Sequence, residues 1–520
     1  MRVQKLAFSE TRSFSSFFLD YIRQKDSLTS FYGLFPQIEN FQSQLEAKAT
    51  SFTDQQRNAL YQVLTRQYEG LTTTQEVKDN LSVLKNRNTF TITTGHQLNI
   101  FTGPLYFIYK IVTVINTCRQ LKQHYPSYDF VPVYWMASED HDYDEIKYFR
   151  LYGKKYTWQT DQTGAVGRFN PQSITKLFDE IPGDINVFKS AYSKSTTLSA
   201  AVRQYVNALF GSEGLIVIDA DDRTLKSSFK PVMDADLFDH TSKRLVEDQN
   251  QQLEKLGYHP QVFARDINFF YLDKNVRARI EQIDERFQVV DTDHSFTQGE
   301  MERMVQDEPE KLSPNVILRP LYQEFILPNL AYAGGPAEVV YWLQLKGVFD
   351  HFKVPFPILM PRNFAMVVDG PISRKFEKTG LEYQHLFEEK NFLFNQWVIK
   401  NTTHDLSLGS EMKLILERYR AIRDRAGKID STLIKFIEAQ SKRTVSGLEK
   451  IEQKLFRAEK RQHADKLRQL EAVKDELFPG GNPQERVDNF LNFYQKDPRF
   501  IQHLLDTFEP FDFRFNLLFY

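Results

Sequence analysis

The sequence predicts an α/β fold with a parallel sheet, followed by a helical coiled-coil segment. Residues 89–94 alternate with period two and are β-branched, as in a strand. An apolar helical stretch (105–121) and a second strand (130–136) follow, and this strand–helix–strand unit needs a crossover that makes the strands parallel. Between Pro371 and Pro479 the chain has no proline, and its apolar residues step by three and four.

The first 85 residues are predicted to form a helical segment that packs on the core. Residues 14–22 carry apolar side chains at helical spacing. A polar helix is predicted near residues 53–68, with Thr53-Asp54 as its cap.

Residues 86–380 are predicted to form the α/β core. Apolar runs that end near a charged residue or a Gly/Pro turn are typical of buried parallel strands. Such runs occur at residues 214–219, 268–272, 315–318 and 356–360. We expect insertions in this core at about residues 150–210 and 225–310, the first of them rich in Gly, Thr and Gln.

Residues 381–478 are predicted to form a helical coiled-coil arm. Met412, Ile415, Tyr419 and Ile422 begin an apolar seam that continues to Ala458. An antiparallel arm of two or three helices within the chain would explain this seam, and so would a coiled-coil dimer. Pro479 to Pro483 stop the arm, and residues 479–520 are predicted to form a short helical tail.

Composition excludes several classes of site. Cys118 is the single cysteine, so neither a disulfide within the chain nor a multi-cysteine metal site can form, and no metal site is predicted. Lys and Arg total 66 against 68 Asp and Glu, a net charge of −2, so no nucleic-acid partner is expected. We find no signal peptide and no apolar run long enough to span a membrane, which predicts a cytoplasmic protein without a membrane partner.

The first candidate site follows the first predicted strand. Open α/β sheets bind ligands at the carboxyl ends of their strands, and a helix start there offers free N–H groups to phosphate. A tight turn with a partly exposed histidine would also explain the pattern. The candidate residues are Gly95, His96, Gln97, Asn99, Thr102, Gly103, Tyr106 and Lys110.

The second candidate site follows the second predicted strand. Glu139, Asp140, His141 and Asp142 place carboxylates and a histidine directly after an apolar run. Such a group can bind a cation or act as acid and base. The alternative is a solvated acidic turn that caps the next helix.

Further candidates lie beyond residue 318. Arg319 is predicted to end a strand, and the Gly334-Gly335-Pro336 loop leads into a helix. Arginines bind phosphate or carboxylate groups well. The candidate residues are Arg319, Gln323, Tyr332, Gly334, Gly335, Glu338, Gln344 and Arg362, and each alone could be structural.

Four segments together resemble one known family. They are Thr94-Gly95-His96-Gln97 with the following Phe101 to Lys110, Pro132 to Asp142, Leu312 to Gln323, and Tyr332 to Arg362. In this order and over essentially the whole chain, they resemble the bacillithiol biosynthesis cysteine-adding enzymes, the BshC family.

This resemblance implies a fold, a reaction and partners. The fold is a Rossmann-like core similar to class I aminoacyl-tRNA synthetases, with connecting-peptide insertions and a coiled-coil domain through which the family forms homodimers. The implied reaction joins cysteine to the amine of glucosaminyl malate, with ATP as cosubstrate and magnesium as its companion ion. From their placement at the strand ends, His96, Asp140, His141 and Asp142 are the expected catalytic residues. The alternative is a non-catalytic nucleotide- or thiol-binding scaffold that acts through its coiled coil.

Overall fold

The computed structural model describes residues 1–520. The chain divides into two compact units, one made of Met1–Val367 and Asn482–Leu518, the other of Val368–Gly481 and Phe519–Tyr520. The predicted domain boundaries at residues 85, 380 and 478 stay predictions.

The strands are, in chain order, β1 (Arg2–Ala7), β2 (Thr89–His96), β3 (Asp129–Met136), β4 (Tyr148–Leu151), β5 (Lys154–Thr157), β6 (Ile216–Asp219), β7 (Phe269–Asp273), β8 (Val276–Ile283), β9 (Arg286–Val289), β10 (Ser295–Thr297), β11 (Leu312–Pro314), β12 (Asn329–Gly334), β13 (Ile358–Pro361), β14 (Phe364–Val368) and β15 (Arg514–Phe519).

The α-helices are α1 (Ser16–Ile22), α2 (Phe41–Ser51), α3 (Asp54–Gln67), α4 (Gln75–Val83), α5 (Tyr106–His124), α6 (Tyr143–Ile146), α7 (Asn186–Lys194), α8 (Leu198–Phe210), α9 (Arg223–Ser227), α10 (Lys230–Leu237), α11 (Thr241–Lys255), α12 (Gln298–Asp307), α13 (Arg319–Ile326), α14 (Pro336–Trp342), α15 (Lys346–His351), α16 (Gly370–Glu377), α17 (Lys390–Asn401), α18 (Gly409–Gly427), α19 (Leu433–Gln462), α20 (Ala464–Leu477), α21 (Gln484–Val487), α22 (Leu491–Tyr494) and α23 (Phe500–Thr507).

A five-stranded parallel sheet forms the core of the first unit. Its order is β13-β12-β2-β3-β6, and every pair of neighbours is parallel. Numbered by their order along the chain, the five strands run 5-4-1-2-3, which is the Rossmann order. The order reverses between β2 and β12, and loops leave the sheet in opposite directions there. The predicted Rossmann-like core is confirmed.

Apolar side chains explain why these strands are buried on both faces. Phe90 and Ile92 of β2 pack with Val114 and Cys118 of α5 and with Leu330 of β12 in one core cluster. Burial raises the pKa of the Cys118 thiol, which therefore is a small core residue. The covering helices leave only the carboxyl ends of the strands open to ligands.

The structure corrects the prediction of a strand at residues 315–318. The strand β11 ends at Pro314, and the Asn315 side chain accepts hydrogen bonds from the backbone N–H groups of Ile317 and Leu318. This turn leads into α13, so Arg319 begins a helix rather than ending a strand.

Several strands were not predicted, among them β1, β12 and β15. The strand β12 is a central strand of the sheet, while β1 and β15 pair with each other beside β14. The predicted helical segment at residues 1–85 therefore begins with a strand, and the predicted helical tail ends with one.

The insertions form small antiparallel elements. The strands β4 and β5 form a hairpin, and β10-β9-β8-β7-β11 form a second five-stranded sheet. The predicted strand near residues 268–272 does form, as β7, but its neighbours are antiparallel to it, which corrects the expectation of a parallel strand.

The second unit is helical and contains the predicted coiled coil. A short connection joins α18 to α19, and the Tyr419 hydroxyl lies 2.8 Å from the Thr444 hydroxyl across the pair. These helices pair within the chain, as the first of the two explanations of the apolar seam, an antiparallel arm, requires. No helix of the chain is both long and apolar enough to cross a membrane.

Candidate functional site

A cleft of about 730 Å³ opens at the carboxyl ends of the parallel strands. Its floor includes Gly95 at the end of β2, Trp135 of β3 and Tyr332 of β12. It therefore lies where the strand order reverses, the position at which open α/β sheets bind ligands. The antiparallel insertion supplies one wall through Phe270 and Arg277.

A partly buried ion pair between Lys110 and Glu338 joins the two halves of the sheet within this cleft. The Lys110 Nζ lies 2.6 Å from Glu338 Oε2 and donates to the Gly95 carbonyl at 2.8 Å. Glu338 also accepts from the Tyr332 hydroxyl and the Gly335 N–H, each at 2.7 Å. Burial opposes ionisation of Glu338, but Lys110 and these donors outweigh it and lower its pKa to about 2.

His96 lies beside this pair as a neutral histidine. Its Nε2 is buried and has no hydrogen-bond partner, and its ring contacts the rings of Tyr106 and Phe107 with centroids 5.2 Å apart. Burial, assisted by the charge of Lys110, lowers the pKa of His96 to about 3. A buried ring nitrogen without a partner can bind a ligand group.

A second polar group is built around Asp140. The Gln97 amide donates to Asp140 Oδ2 at 2.9 Å, and Arg277 donates to His141 Nδ1 at 2.7 Å. Burial favours protonation of Asp140, but the Gln97 and Arg277 contacts and nearby backbone N–H groups together lower its pKa. Burial and the Arg277 charge lower the pKa of His141, so this histidine is a neutral acceptor.

Glu139 lies deeper, against a buried lysine. It forms an ion pair with Lys226, whose side chain is fully buried and also lies 3.5 Å from Asp221. Burial raises the pKa of Glu139 to about 7, although Lys226 opposes this shift. A carboxyl group that titrates near neutral pH in a cleft is suited to proton transfer or to cation binding.

Arg319 is a cation of the cleft that forms no ion pair. Its Nη1 donates to Gln323 Oε1 at 3.2 Å, and its Nη2 is buried without a hydrogen-bond partner. The guanidinium lies 5.5–5.7 Å from the ring centroids of Trp135, Tyr332 and Trp342. An unsatisfied guanidinium in such surroundings is a site for a carboxylate or a phosphate.

Arg362, by contrast, is already neutralised. It forms a two-bond ion pair with Glu485 at 2.7 and 2.9 Å. Arg486, which directly follows Glu485 in the chain, also lines the cleft. It is exposed and forms no ion pair. Arg319 and Arg486 are thus the arginines of this end of the cleft that are open to an anion.

The cleft brings together thirteen of the twenty predicted site residues. They are Gly95, His96, Gln97, Tyr106, Lys110, Glu139, Asp140, His141, Arg319, Tyr332, Gly335, Glu338 and Arg362. The others, which do not line it, are Asn99, Thr102, Gly103, Asp142, Gln323, Gly334 and Gln344. Their predicted roles stay predictions.

The residues outside the cleft have visible structural contacts. Asp142 is exposed and caps α6 by accepting from the Glu145 N–H. The Asn99 amide donates to the Glu145 carbonyl at 2.8 Å, and Gln323 holds Arg319. Gln344 is fully buried beneath a loop of the cleft mouth.

Several residues that line the cleft were not predicted from the sequence. They are Phe263, Arg265, Phe270, Arg277 and Arg486. Phe270 lies in the strand predicted at residues 268–272, which was expected in the parallel sheet, and the other four lie in no motif or predicted strand. All five reach the cleft through the folding of the insertion or of the last segment.

Comparisons with known proteins identify the family. The family model described as "Bacillithiol biosynthesis BshC, N-terminal Rossmann-like domain" matches residues 1–363. A second model, "Bacillithiol biosynthesis BshC, C-terminal coiled-coil domain", matches residues 365–520. The chain belongs to the BshC family.

Full-length relatives agree with this membership. The chain is 39% identical to a protein of Christiangramia forsetii over 99% of this chain and 98% of that protein. It is 38% identical to one of Flavobacterium johnsoniae (99% of each chain) and to one of Cytophaga hutchinsonii (100% of this chain, 99% of the other). Each of these BshC relatives is named "Putative cysteine ligase BshC". The predicted family, fold class and enzyme class, a ligase, are confirmed.

Proposed function

We propose that this BshC chain joins the carboxyl group of cysteine to the amine of glucosaminyl malate, the step that yields bacillithiol, in the cytoplasm. The observation that supports this most is the composition of the cleft. It combines an unpaired arginine, Arg319, with the carboxylates Glu139 and Asp140. Such a site suits ligands that carry both an anionic group and an amine, as cysteine and the sugar acceptor do.

We propose that ATP activates cysteine as an adenylate. The cysteine carboxylate attacks the α-phosphorus and releases pyrophosphate, and the sugar amine then attacks the acyl carbon and releases AMP. His96, Gly95 and Gln97 would bind the phosphates, because they lie at the strand end beside the start of α5. Magnesium would enter with the ATP phosphates.

Glu139 and Asp140 would bind the cationic groups, namely the ammonium group of cysteine and the sugar amine. Glu139 would hold the amine and take its proton as it attacks, since a carboxyl group with a pKa of about 7 can accept a proton near neutral pH. Arg319 would bind a carboxylate of the malate group.

We further propose a homodimer through the second unit. Ile429 and Phe436 of the coiled-coil segment are 79% and 61% exposed. Large apolar side chains exposed together on a helical pair are typical of an interaction surface.

The decisive experiment incubates the full chain with cysteine, glucosaminyl malate and ATP, and detects bacillithiol and AMP by mass spectrometry. We expect both products. Bacillithiol without AMP would exclude the adenylate step, and no bacillithiol would refute the proposed reaction. If the chain is a ligase, the wild type should make product and Asp140→Ala should not. A scaffold without catalytic function would make no product as wild type or as Asp140→Ala.

A further inference from the structure

The mouth of the cleft has two exposed apolar side chains that have no role in the proposed reaction. Phe263 is 70% exposed and Val316 is 45% exposed, and both line the cleft. No ring of the protein stacks on Phe263. Exposed apolar groups that border a ligand cleft commonly contact the ligand.

The loop that carries Phe263 is held by a buried amide. The Gln344 side chain is fully buried, accepts from the N–H groups of Gln261 and Val262 at 2.7 and 3.2 Å, and donates to the Val262 carbonyl at 2.7 Å. These three bonds fix the backbone immediately before Phe263. Gln344 is one of the predicted site residues that do not line the cleft. Through these three hydrogen bonds it can still affect the shape of the cleft mouth.

A second buried amide ties the loop to the segment that carries Val316. Asn268 accepts from the Arg265 N–H at 3.1 Å and donates to the Arg265 carbonyl at 2.9 Å. The Asn315 amide donates to the same Asn268 side chain at 3.0 Å. The backbones beside Phe263 and Val316 are therefore held by hydrogen bonds within the protein, and both side chains extend from ordered backbone at the cleft.

We propose that Phe263 and Val316 form an apolar platform against which the carbon–hydrogen face of the acceptor's hexose ring packs, with Gln344 as a positioning residue. This inference rests on the proposed function, which supplies the acceptor. The platform covers one side only and opens to water. A sugar ring suits it, because one face of the ring is apolar while its hydroxyl edge stays hydrated or meets Arg265 and Asn315. A purine gains most when both faces are covered.

The test measures binding of glucosaminyl malate and of malate alone by calorimetry. We expect Phe263→Ala to weaken binding of glucosaminyl malate about tenfold, because the apolar face of the hexose ring then stays exposed to water in the complex. Binding of malate alone should be unchanged. Phe263→Tyr should bind like the wild type. Ile283→Ala is the matched control, since Ile283 is also exposed on the inserted sheet and does not line the cleft.

Gln344→Ala tests the positioning role. It should weaken glucosaminyl malate in the wild-type background and have no added effect in Phe263→Ala, because it acts through the Phe263 loop. Additive losses would overturn this role. If Gln344→Ala fails to fold, Phe263→Ala and Phe263→Tyr still decide the platform.

Two outcomes overturn the platform. In both, Phe263→Ala binds the acceptor as tightly as the wild type does. In the first the KM for ATP is also unchanged, and in the second the KM for ATP is raised, which would assign the surface to adenine. A wild type that binds glucosaminyl malate in a Phe263-dependent way but makes no bacillithiol would refute only the proposed reaction. A wild type that does not bind the acceptor would refute both.

Discussion

Lys110 and Glu338 form an ion pair of 2.6 Å across the point where the order of the parallel strands reverses. Lys110 lies on the helix that follows the first strand of the sheet, and Glu338 lies on the helix that follows the fourth. Their contact closes the inner end of the cleft and fixes the position of Tyr332, which donates to the same carboxylate.

Removing one member of this pair should destabilise the fold. Lys110→Met leaves the Glu338 charge in a mostly buried place, and we expect a loss of about 3 kcal/mol in the free energy of unfolding measured with urea. The double variant Lys110→Met, Glu338→Gln should recover part of that loss, because no unpaired charge is left. An equal or larger loss in the double variant would contradict the electrostatic explanation.

Arg319→Met should weaken use of the proposed acceptor, glucosaminyl malate. A hydrogen bond to a charged group contributes about 1.5–3 kcal/mol, so kcat/KM for glucosaminyl malate should fall about 10- to 100-fold. Methyl glucosaminide, which lacks malate, should be affected much less. Arg279→Met is the control, because Arg279 pairs with Glu281 and does not line the cleft. Equal losses for both acceptors would exclude Arg319 as the malate ligand.

The pH dependence of ligation should report Glu139. Burial raises its pKa from 4.5 to about 7, so the carboxylate proposed to bind the amine becomes populated only as the pH rises through about 7. We expect kcat/KM to increase with pH across that range and to level off above it. Glu139→Gln should remove this dependence along with most activity. Asp144→Asn, which changes an exposed carboxylate of the neighbouring helix α6, should keep it.

Gly103 should not tolerate a side chain. Its φ of +61° is in the left-handed region, and a Cβ atom there would lie 2.5 Å from the Asn99 Cβ. Gly103→Ala should therefore lower the melting temperature more than Gly70→Ala, where φ is +75° but no atom lies within 4 Å. The difference between the two variants measures the clash with Asn99, and equal shifts would exclude it.

The proposed dimer should depend on the exposed seam. Phe436→Glu places a charge where an apolar contact is expected, and light scattering should show a monomer in place of a dimer. The free energy of unfolding of the isolated chain should change little, because Phe436 is 61% exposed. A wild-type monomer, or a dimer unchanged by this substitution, would contradict the proposed surface.

The sequence predicted the elements with strong periodicity and missed those defined by distant contacts. β2, α5 and β3 follow the alternation and helical spacing of residues 89–136. β12 was missed because its residues, Asn329–Gly334, run directly into a Gly-Gly-Pro loop and include small side chains. Its burial depends on the strands beside it, which local sequence does not reveal.

The candidate site shows the same division. Gly95 and His96 end the strand β2 and Asp140 closely follows β3, so the rule for parallel sheets places them together. Arg277 reaches the cleft from an antiparallel insertion, and Arg486 reaches it from the last segment of the chain. No spacing in the sequence relates these positions, because their proximity is set by tertiary packing. The unpaired state of Arg319 and the paired state of Arg362 likewise depend on where Glu485 lies.

The first unit is made of two separate stretches of the chain, Met1–Val367 and Asn482–Leu518, and this governs the order in which it assembles during synthesis. Arg362 pairs with a carboxylate 123 residues further along the chain. At about 5–20 residues per second, the ribosome adds Glu485 about 6–25 s after Arg362. Throughout this interval the nascent protein has made its whole parallel sheet but not the cleft wall that carries Arg486. Until translation has passed the helical arm, a newly made chain lacks both Arg486 of the cleft lining and the partner of Arg362, and a message cut short within the arm yields a protein with an incomplete cleft.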